Sequence, residues 1–552
     1  MLKGPNEKPF RESQRRTPSS SRVEARLRPT NADAIASTLA ESGVEFVFGL
    51  PGGEIAPLIE ACRNVGIRFL LTGHEASAAF MAEVTGQILG RPGVCVSTLG
   101  PGAMNMALGL ANAFLDRSPV VAITADISTA IRGHFPHQRL PLTSIFGSIC
   151  KASFAFDGDG TADLTAKAIN LASHPPYGPV HLSLPSDVAV AHPISERVTA
   201  HPDVTLPNDQ MALTEIAEML SEAKRPILLI GLGCRPEDTP ALVAFLERTR
   251  MPFVVTPKAK GSVPEDRPDF LGVVGGVALD KAIMETVDEA DFILGVGFDP
   301  VECDKPWYVG RAIANISRFP TAEGAYRPVE SLGDVGTQLS LLSETTQAKP
   351  WPQELISSCA SRLRVRPKPG RGVSPIEVIY ALREMLPKET ILTSDVGSHK
   401  YFACQFWRAL APRTFYVSNG LSAMGFGIPA GIAAKLQFPE CPVVALVGDG
   451  GFLMMLHNLT FLKQYHIPLI VVCLVDESLS LIKLGQQRRG FVPYGVDFPA
   501  PDFTKVAAGF DIRAVWANSI ANLRRSVDES LQTNEPVVVS IPVDSLEYEE
   551  YA

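Results

Sequence analysis

Short apolar runs alternate with stretches of helical period along almost the whole chain. In a first block the pattern predicts strands at 46–48, 69–72, 94–97 and 120–124, with helices at 32–42 and 76–89. That block closes on Val180-His181-Leu182-Ser183-Leu184-Pro185, a strand ended by proline. A second block opens with a helix at 213–223 and a strand at 227–230, which runs into Gly231-Leu232-Gly233. Its next strand, 292–296, ends at Gly297-Phe298-Asp299. A third block carries a helix at 375–386 and strands at 390–393, 443–447, 469–475 and 537–541. Polar, proline-containing linkers are expected at 192–208 and 347–374. Strands that alternate with helices predict an α/β protein with parallel, doubly wound sheets, divided here into domains at 30–195, 209–346 and 375–552.

The length of 552 residues exceeds what one hydrophobic core usually serves and agrees with several domains. A formal net charge of −9 gives no electrostatic case for nucleic acid or an anionic membrane surface as a partner. No apolar run is long enough to cross a bilayer. The nine cysteines are scattered without CxxC spacing, which argues against a disulfide framework or zinc site and for a reducing cytoplasm. Residues 1–29 are basic and Ser/Pro-rich, but Glu7, Glu12 and Glu24 and the lack of an apolar face favour a disordered extension over a transit peptide.

The candidate chemistry concentrates in the third block. The strand at 443–447 ends in Gly448-Asp449-Gly450-Gly451, and one continuous helix is expected beyond it, on the spacing of Phe452, Met455, Leu456, Leu459 and Leu462. Glycine lets backbone approach a phosphate closely, and the free N–H groups of a helix start favour an anion. By itself this tripeptide is usually a tight turn with a capping Asp. Asp476, at the end of the next strand, changes its meaning. Neighbouring parallel strands would bring Asp449 and Asp476 to one sheet edge, where two hard oxygen ligands suit magnesium or calcium. The backbone carbonyl of Ser478 offers a third.

Gly448-Asp449-Gly450, twenty-five residues and then Asp476 resemble the diphosphate–metal signature of thiamine diphosphate enzymes. That family usually carries Asn-Asn or Asn-Asp at the second position, where this chain has Val475-Asp476. The run from Gly73-His74-Glu75 to Ala82 is similar to the family's segment whose glutamate hydrogen-bonds N1′ of the aminopyrimidine and promotes loss of the C2 proton. Leu99-Gly100-Pro101-Gly102 with Asn105 resembles the Gly-Pro-Gly turn near the cofactor. The run from Ser418 to Ala430 resembles the segment whose methionine supports the bent cofactor, which implies Met424, with Ser422 beside it. Asp395-Val396-Gly397-Ser398-His399 resembles the segment over the diphosphate. The resemblance thus implies diphosphate contacts from Gly397, Ser398, His399, Gly448, Asp449, Gly450, Gly451, Asp476, Ser478 and Leu479, with Mg2+ on Asp449, Asp476 and Ser478.

The resemblance runs from about Asn31 onward in pyruvate-oxidase-like order, and Phe48-Gly49-Leu50-Pro51-Gly52-Gly53 is most similar to the acetolactate synthase branch. It implies a carboligase that decarboxylates a 2-oxo acid and transfers the acyl carbanion to a carbonyl acceptor. A non-ligating decarboxylase, a 2-hydroxyacyl lyase and a catalytically silent cofactor-binding homologue stand as alternatives. His137 and Gln138, in the loop expected to approach the reacting carbon, are the candidates for proton transfer or substrate orientation. The cofactor is implied to lie between subunits of a homodimer or homotetramer. Gly297-Phe298-Asp299-Pro300-Val301-Glu302 lacks the arginine-bearing pattern of FAD-containing members, and 271–276 lacks their histidine. FAD is therefore compatible with the glycine turn at Gly231 but not predicted. Lys and Arg in 481–489 suit an anionic substrate group or a solvated helix face.

Overall fold

The computed structural model describes residues 28–194, 209–367 and 372–551. The expected N-terminal extension up to residue 27, and 195–208 of the first linker, lie outside the described residues.

Three six-stranded sheets, each fully parallel, succeed one another along the chain. The first contains β1 (Phe46–Leu50), β2 (Arg68–Leu71), β3 (Gly93–Ser97), β4 (Val120–Asp126), β5 (Ala152–Ala155) and β6 (Pro179–Pro185). The central sheet contains β7 (Pro226–Ile230), β8 (Phe253–Val255), β9 (Phe270–Val273), β10 (Phe292–Val296), β11 (Ile313–Ser317) and β12 (Val329–Leu332). The third contains β13 (Ile391–Ser394), β14 (Phe415–Val417), β15 (Val443–Gly448), β16 (Ile470–Val475), β17 (Arg513–Trp516) and β18 (Val537–Pro542). Helices cover both faces, so strands such as β3, β6, β7 and β16 are buried along their whole length. Burial on both faces requires near-continuous apolar runs, which is why these strands were readable from the sequence.

The first and third sheets share one order, β2-β1-β3-β4-β6-β5 and β14-β13-β15-β16-β18-β17; the central sheet runs β12-β11-β10-β7-β8-β9. Winding reverses between β1 and β3, between β7 and β10, and between β13 and β15. Such reversals open a crevice beyond the carboxyl ends of the two strands, where open α/β sheets take ligands.

Two local expectations need correction. The helix after β15 is not continuous but splits into Asp449–Met454 and Asn458–Tyr465. The break turns His457 and Asn458 towards the first domain, where Ser77 Oγ lies 2.8 Å from His457 Nε2 and accepts from Asn458 Nδ2 at 3.2 Å. A tertiary contact thus overrides helical period. The stretch 347–374 is not wholly linker, since the helix Gln353–Arg362 forms within it. Its Cys359 is buried among Ile227 and Leu229, and the indole N–H of Trp351 donates to the Pro226 carbonyl at 2.8 Å.

The domains meet at a buried polar junction. Asp116, beyond the helix Gly100–Leu115, accepts from Lys258 Nζ of the central domain at 2.9 Å and from the Gly420 N–H of the third at 2.6 Å. Arg117 pairs with Asp299 at 2.8 Å, and Asn419 Nδ2 donates to the Glu302 carbonyl at 2.9 Å. Nearby, Asn112 Nδ2 donates to both carboxyl oxygens of Glu83. Burial, and secondly the charge of Asp116, push the Glu83 carboxyl up to about 8.

The core of the first domain also contains a neutral histidine. His181 on β6 contacts Thr124 Oγ1 at 2.9 Å and Ser153 Oγ at 2.7 Å and stacks on Phe146, and burial lowers its pKa to about 3. Unfolded, the imidazole titrates at about 6.5. Between those values the unfolded chain holds the extra proton, so this group's contribution is full above about pH 6.5 and is lost on acidification. The stability gap between the wild type and His181→Gln should therefore narrow by about 2 kcal/mol from pH 7 to pH 5, as measured by urea unfolding. A gap independent of pH would mean that His181 titrates in the folded protein as it does in the unfolded chain.

Candidate active site

At the reversal in the third sheet, β13, β15 and β16 end around a cavity of about 320 Å³. Gly397, Ser398 and His399 line it from beyond β13, and Gly448, Asp449, Gly450 and Gly451 from the end of β15. Asp476, Ser478 and Leu479 line it from beyond β16, while Ser422 and Met424 arrive from the loop after β14. The sequence-predicted residues of this half therefore converge on one cavity.

Asp449 Oδ2 accepts the N–H groups of Glu477 at 2.7 Å and Asp476 at 3.1 Å, and its Oδ1 accepts Gly450 N–H at 2.7 Å. These bonds tie the ends of β15 and β16 together. Asp476 Oδ2 accepts from Ser480 Oγ at 2.5 Å, and its Oδ1 from Ser478 N–H at 3.3 Å. Burial raises both carboxyl groups above their ordinary range, Asp476 to about 6, with the Asp449 charge contributing. Such a shift marks a pair of acids that lacks a counter-charge. Among the described residues no three His, Cys, Asp or Glu side chains gather as a metal set. A cation here would therefore take two side-chain ligands and complete its shell with backbone, water or phosphate oxygen.

Across the cavity, the buried Ser398 Oγ and His399 Nε2 have no hydrogen-bond partner among the described residues. Burial lowers the His399 pKa to about 4, so its ring is neutral. Unpaired polar atoms at that depth are uncommon and call for a ligand or water. Asp395 is buried and accepts Gly425 N–H at 2.8 Å, which holds the backbone just after Met424 in place. A Cβ on Gly451 would fall 2.6 Å from Asp395 Oδ2, so glycine is required for this close packing.

Leu474, Ser480 and Tyr548 also line the cavity and escaped the sequence reading. Tyr548, on the short C-terminal helix Leu546–Tyr551, stacks edge-on against Phe402 at 5.0 Å and lines the same cavity. Its phenol is raised by burial and by the charges of Asp476 and Asp449. The amphipathic C-terminus carried no signal pointing to this position.

The first-domain candidates form a second cluster. Glu75 heads the helix Glu75–Leu89 and is 2% exposed. Its Oε2 accepts from Asn105 Nδ2 at 3.0 Å, and a Cβ on Gly102 would lie 2.9 Å from its Oε1. Pro101 opens the helix that carries Asn105. Gln138 takes φ 57° and sits over the same turn, 3.0 Å from a Cβ built on Gly100. His137 is exposed and packs edge-on against Phe135 at 5.8 Å. None of these residues lines the cavity of the third domain. One chain thus holds two separate clusters of candidate residues, each at the carboxyl edge of its own sheet.

Three family models match in succession. The N-terminal TPP binding domain of thiamine pyrophosphate enzymes matches residues 29–145, the central domain 213–342 and the C-terminal TPP binding domain 395–541. The chain is 31% identical to a "Probable acetolactate synthase large subunit" of Methanocaldococcus jannaschii, over 94% of this chain and 92% of that protein. It is 30% identical to an acetolactate synthase of Bacillus subtilis, over 93% of each. A thiamine pyrophosphate-containing protein of the same organism, YdaP, is 28% identical over 93% of this chain and 92% of its own length.

Proposed function

This chain belongs to the thiamine pyrophosphate enzymes, in their acetolactate-synthase-like branch, and we propose that it is a Mg2+-dependent carboligase using a 2-oxo acid as donor and a carbonyl compound as acceptor. The observation that carries this reading is the cavity with two under-neutralised carboxyl groups on one side and the unpaired Ser398 Oγ and His399 Nε2 on the other. That donor set suits a diphosphate bridged to a hard cation. Asp449, Asp476 and the Ser478 carbonyl would hold the cation. Ser398, His399 and the N–H group of Gly451 would hold phosphate oxygens, with Gly450 lining the turn, and Met424 would support the thiazolium.

When bound, the thiazolium supplies the electron sink for the electron pair left as CO2 departs, which no side chain can do. The chain's own residues bind, orient and move protons. Glu75, buried and fixed by Asn105, holds a proton against a ring nitrogen of the aminopyrimidine. Gln138 and His137 orient the substrate carbonyl above the Gly100 turn. The apolar side chains of Ile131 and Phe135, in the loop that carries Gln138, and of Phe491, Val492 and Tyr494, beyond the helix Ser480–Arg488, are exposed. Exposed apolar groups of this kind suit a subunit interface. We assign the working site to a homodimer or homotetramer in which the Glu75 half of one subunit faces the Asp449 half of another.

With pyruvate as sole substrate, purified enzyme supplied with thiamine diphosphate and Mg2+ should release CO2 and form a C–C coupled product. Acetaldehyde as the only product would favour the non-ligating decarboxylase instead. Glu75→Gln should retain cofactor affinity within a few-fold in calorimetry while turnover falls by about 100-fold or more. Undiminished turnover would remove Glu75 from the mechanism. Asp449→Ala should weaken cofactor binding by at least about tenfold in the presence of Mg2+ and abolish the Mg2+ dependence of that binding. Unaltered affinity would show that Asp449 only closes the turn.

A further inference from the structure

The central sheet has the strand order of a dinucleotide-binding fold, with winding that reverses between β7 and β10. At that crevice a glycine turn after the first strand ordinarily offers its N–H groups to a phosphate. Here the turn Gly231-Leu232-Gly233 is already engaged by the chain itself. Leu232 N–H donates to Glu302 Oε2 at 2.8 Å, and Lys258 N–H, beyond β8, donates to Glu302 Oε1 at 3.3 Å. Glu302 is 2% exposed.

The backbone beside it is engaged as well. Gly233 N–H donates to the Gly297 carbonyl at 2.8 Å, and a Cβ on Gly231 would lie 2.5 Å from that same oxygen. The two turns pack backbone to backbone, and the cavities of about 140 and 150 Å³ that flank them are lined by Leu232 with Lys258 and by Glu302, so a phosphate entering either would meet donors already taken. On the far side, Arg318 clamps Asp238 with bonds of 2.7 and 2.8 Å and reaches Asp334 at 3.2 Å. Asp238 precedes the helix Thr239–Thr249, and its carboxylate turns to Arg318 and the Arg235 N–H instead of to that helix's own N–H groups. The Lys258 ammonium is committed to Asp116.

We propose that the central domain holds no flavin or other dinucleotide, because the Glu302 carboxyl group fills the place where the phosphates would be gripped. The domain is closed by its own side chain, and the protein works without a bound redox cofactor. This stands apart from the thiamine site, since no residue of that cavity takes part.

The test uses the full-length protein. FAD titration should give no saturable binding up to about 100 μM by flavin fluorescence, and acid-released flavin from freshly purified protein should be well below one per chain. Saturable binding, or flavin near one per chain, would overturn the proposal. Glu302→Ala leaves two backbone donors unpaired and should lower the melting temperature by about 5 °C. Inorganic phosphate should then restore most of that loss while leaving the wild type nearly unmoved. Equal shifts in both proteins would show that Glu302 does not stand in for an anion. Glu302→Gln keeps one acceptor oxygen and should lose less; a loss as large as that of Glu302→Ala would also count against it.

Discussion

All three domains converge on the carboxylate of Asp116. Lys258 reaches it from the central domain, the N–H groups of Asn419 and Gly420 from the third, and Asn112 from its own helix. A buried ion pair of this kind adds little net stability, because desolvation offsets most of the attraction. Its effect lies in what happens when it is broken: an unpaired charge left inside costs about 3–5 kcal/mol, so other domain arrangements are disfavoured. The neighbouring Glu83, held largely protonated by burial, keeps a second negative charge out of the junction. The junction therefore specifies geometry more than it stabilises.

Both half-sites inherit their positions from it. The helix Glu75–Leu89 carries Glu75 at its start and Glu83 about 12 Å further along, so one rigid rod joins the proposed activating carboxylate to the junction. The same helix packs on the third domain through Phe80 against Phe426 at 5.6 Å. On the other side Ser418 Oγ donates to Asn112 Oδ1 at 2.6 Å, only a few residues before Ser422 and Met424 enter the diphosphate cavity. The two half-sites are thus fixed within a chain yet kept apart. Such rigidity suits a site completed by a second copy, because little has to be ordered on assembly.

What was legible in the sequence follows from where selection on residue type is strict. Asp449 and Asp476 could be found because the proposed cation between two strand ends would demand carboxylates at a set spacing. The strands flanking them could be found because burial on both faces demands apolar runs. β5 and β17 are half-exposed edge strands, and β8 and β14 are only three residues long, so they carry too little pattern. β11 hides differently. Its Asn315 and Ser317 look like loop residues, but both are fully buried, and Asn315 Nδ2 donates to the Phe298 carbonyl at 2.9 Å. The helix break at His457 and the inward turn of Tyr548 depend on partners far away in sequence, which local period cannot encode.

The same architecture has two different fates at two of its reversals, and polar satisfaction separates them. At the crevice between β13 and β15, Ser398 Oγ and His399 Nε2 stay unpaired although buried, and burial raises the carboxyl groups of Asp449 and Asp476. At the crevice between β7 and β10, Leu232 N–H, Glu302, Asp238 and Arg318 are all paired with one another or with close neighbours. Buried polar groups without partners are rare in a folded chain, because each costs about 1–3 kcal/mol. Ser398 Oγ and His399 Nε2 face an open cavity, where a ligand could offset that cost; at the other crevice Thr239 Oγ1 stays unpaired, but the Leu232 and Lys258 N–H groups are met by Glu302. Strand order therefore says where a ligand can sit, and the hydrogen-bond account at the strand ends says whether the chain has left room for it. The central domain also carries Lys258 and Asp299 to the junction, where both are paired with residues of the first domain.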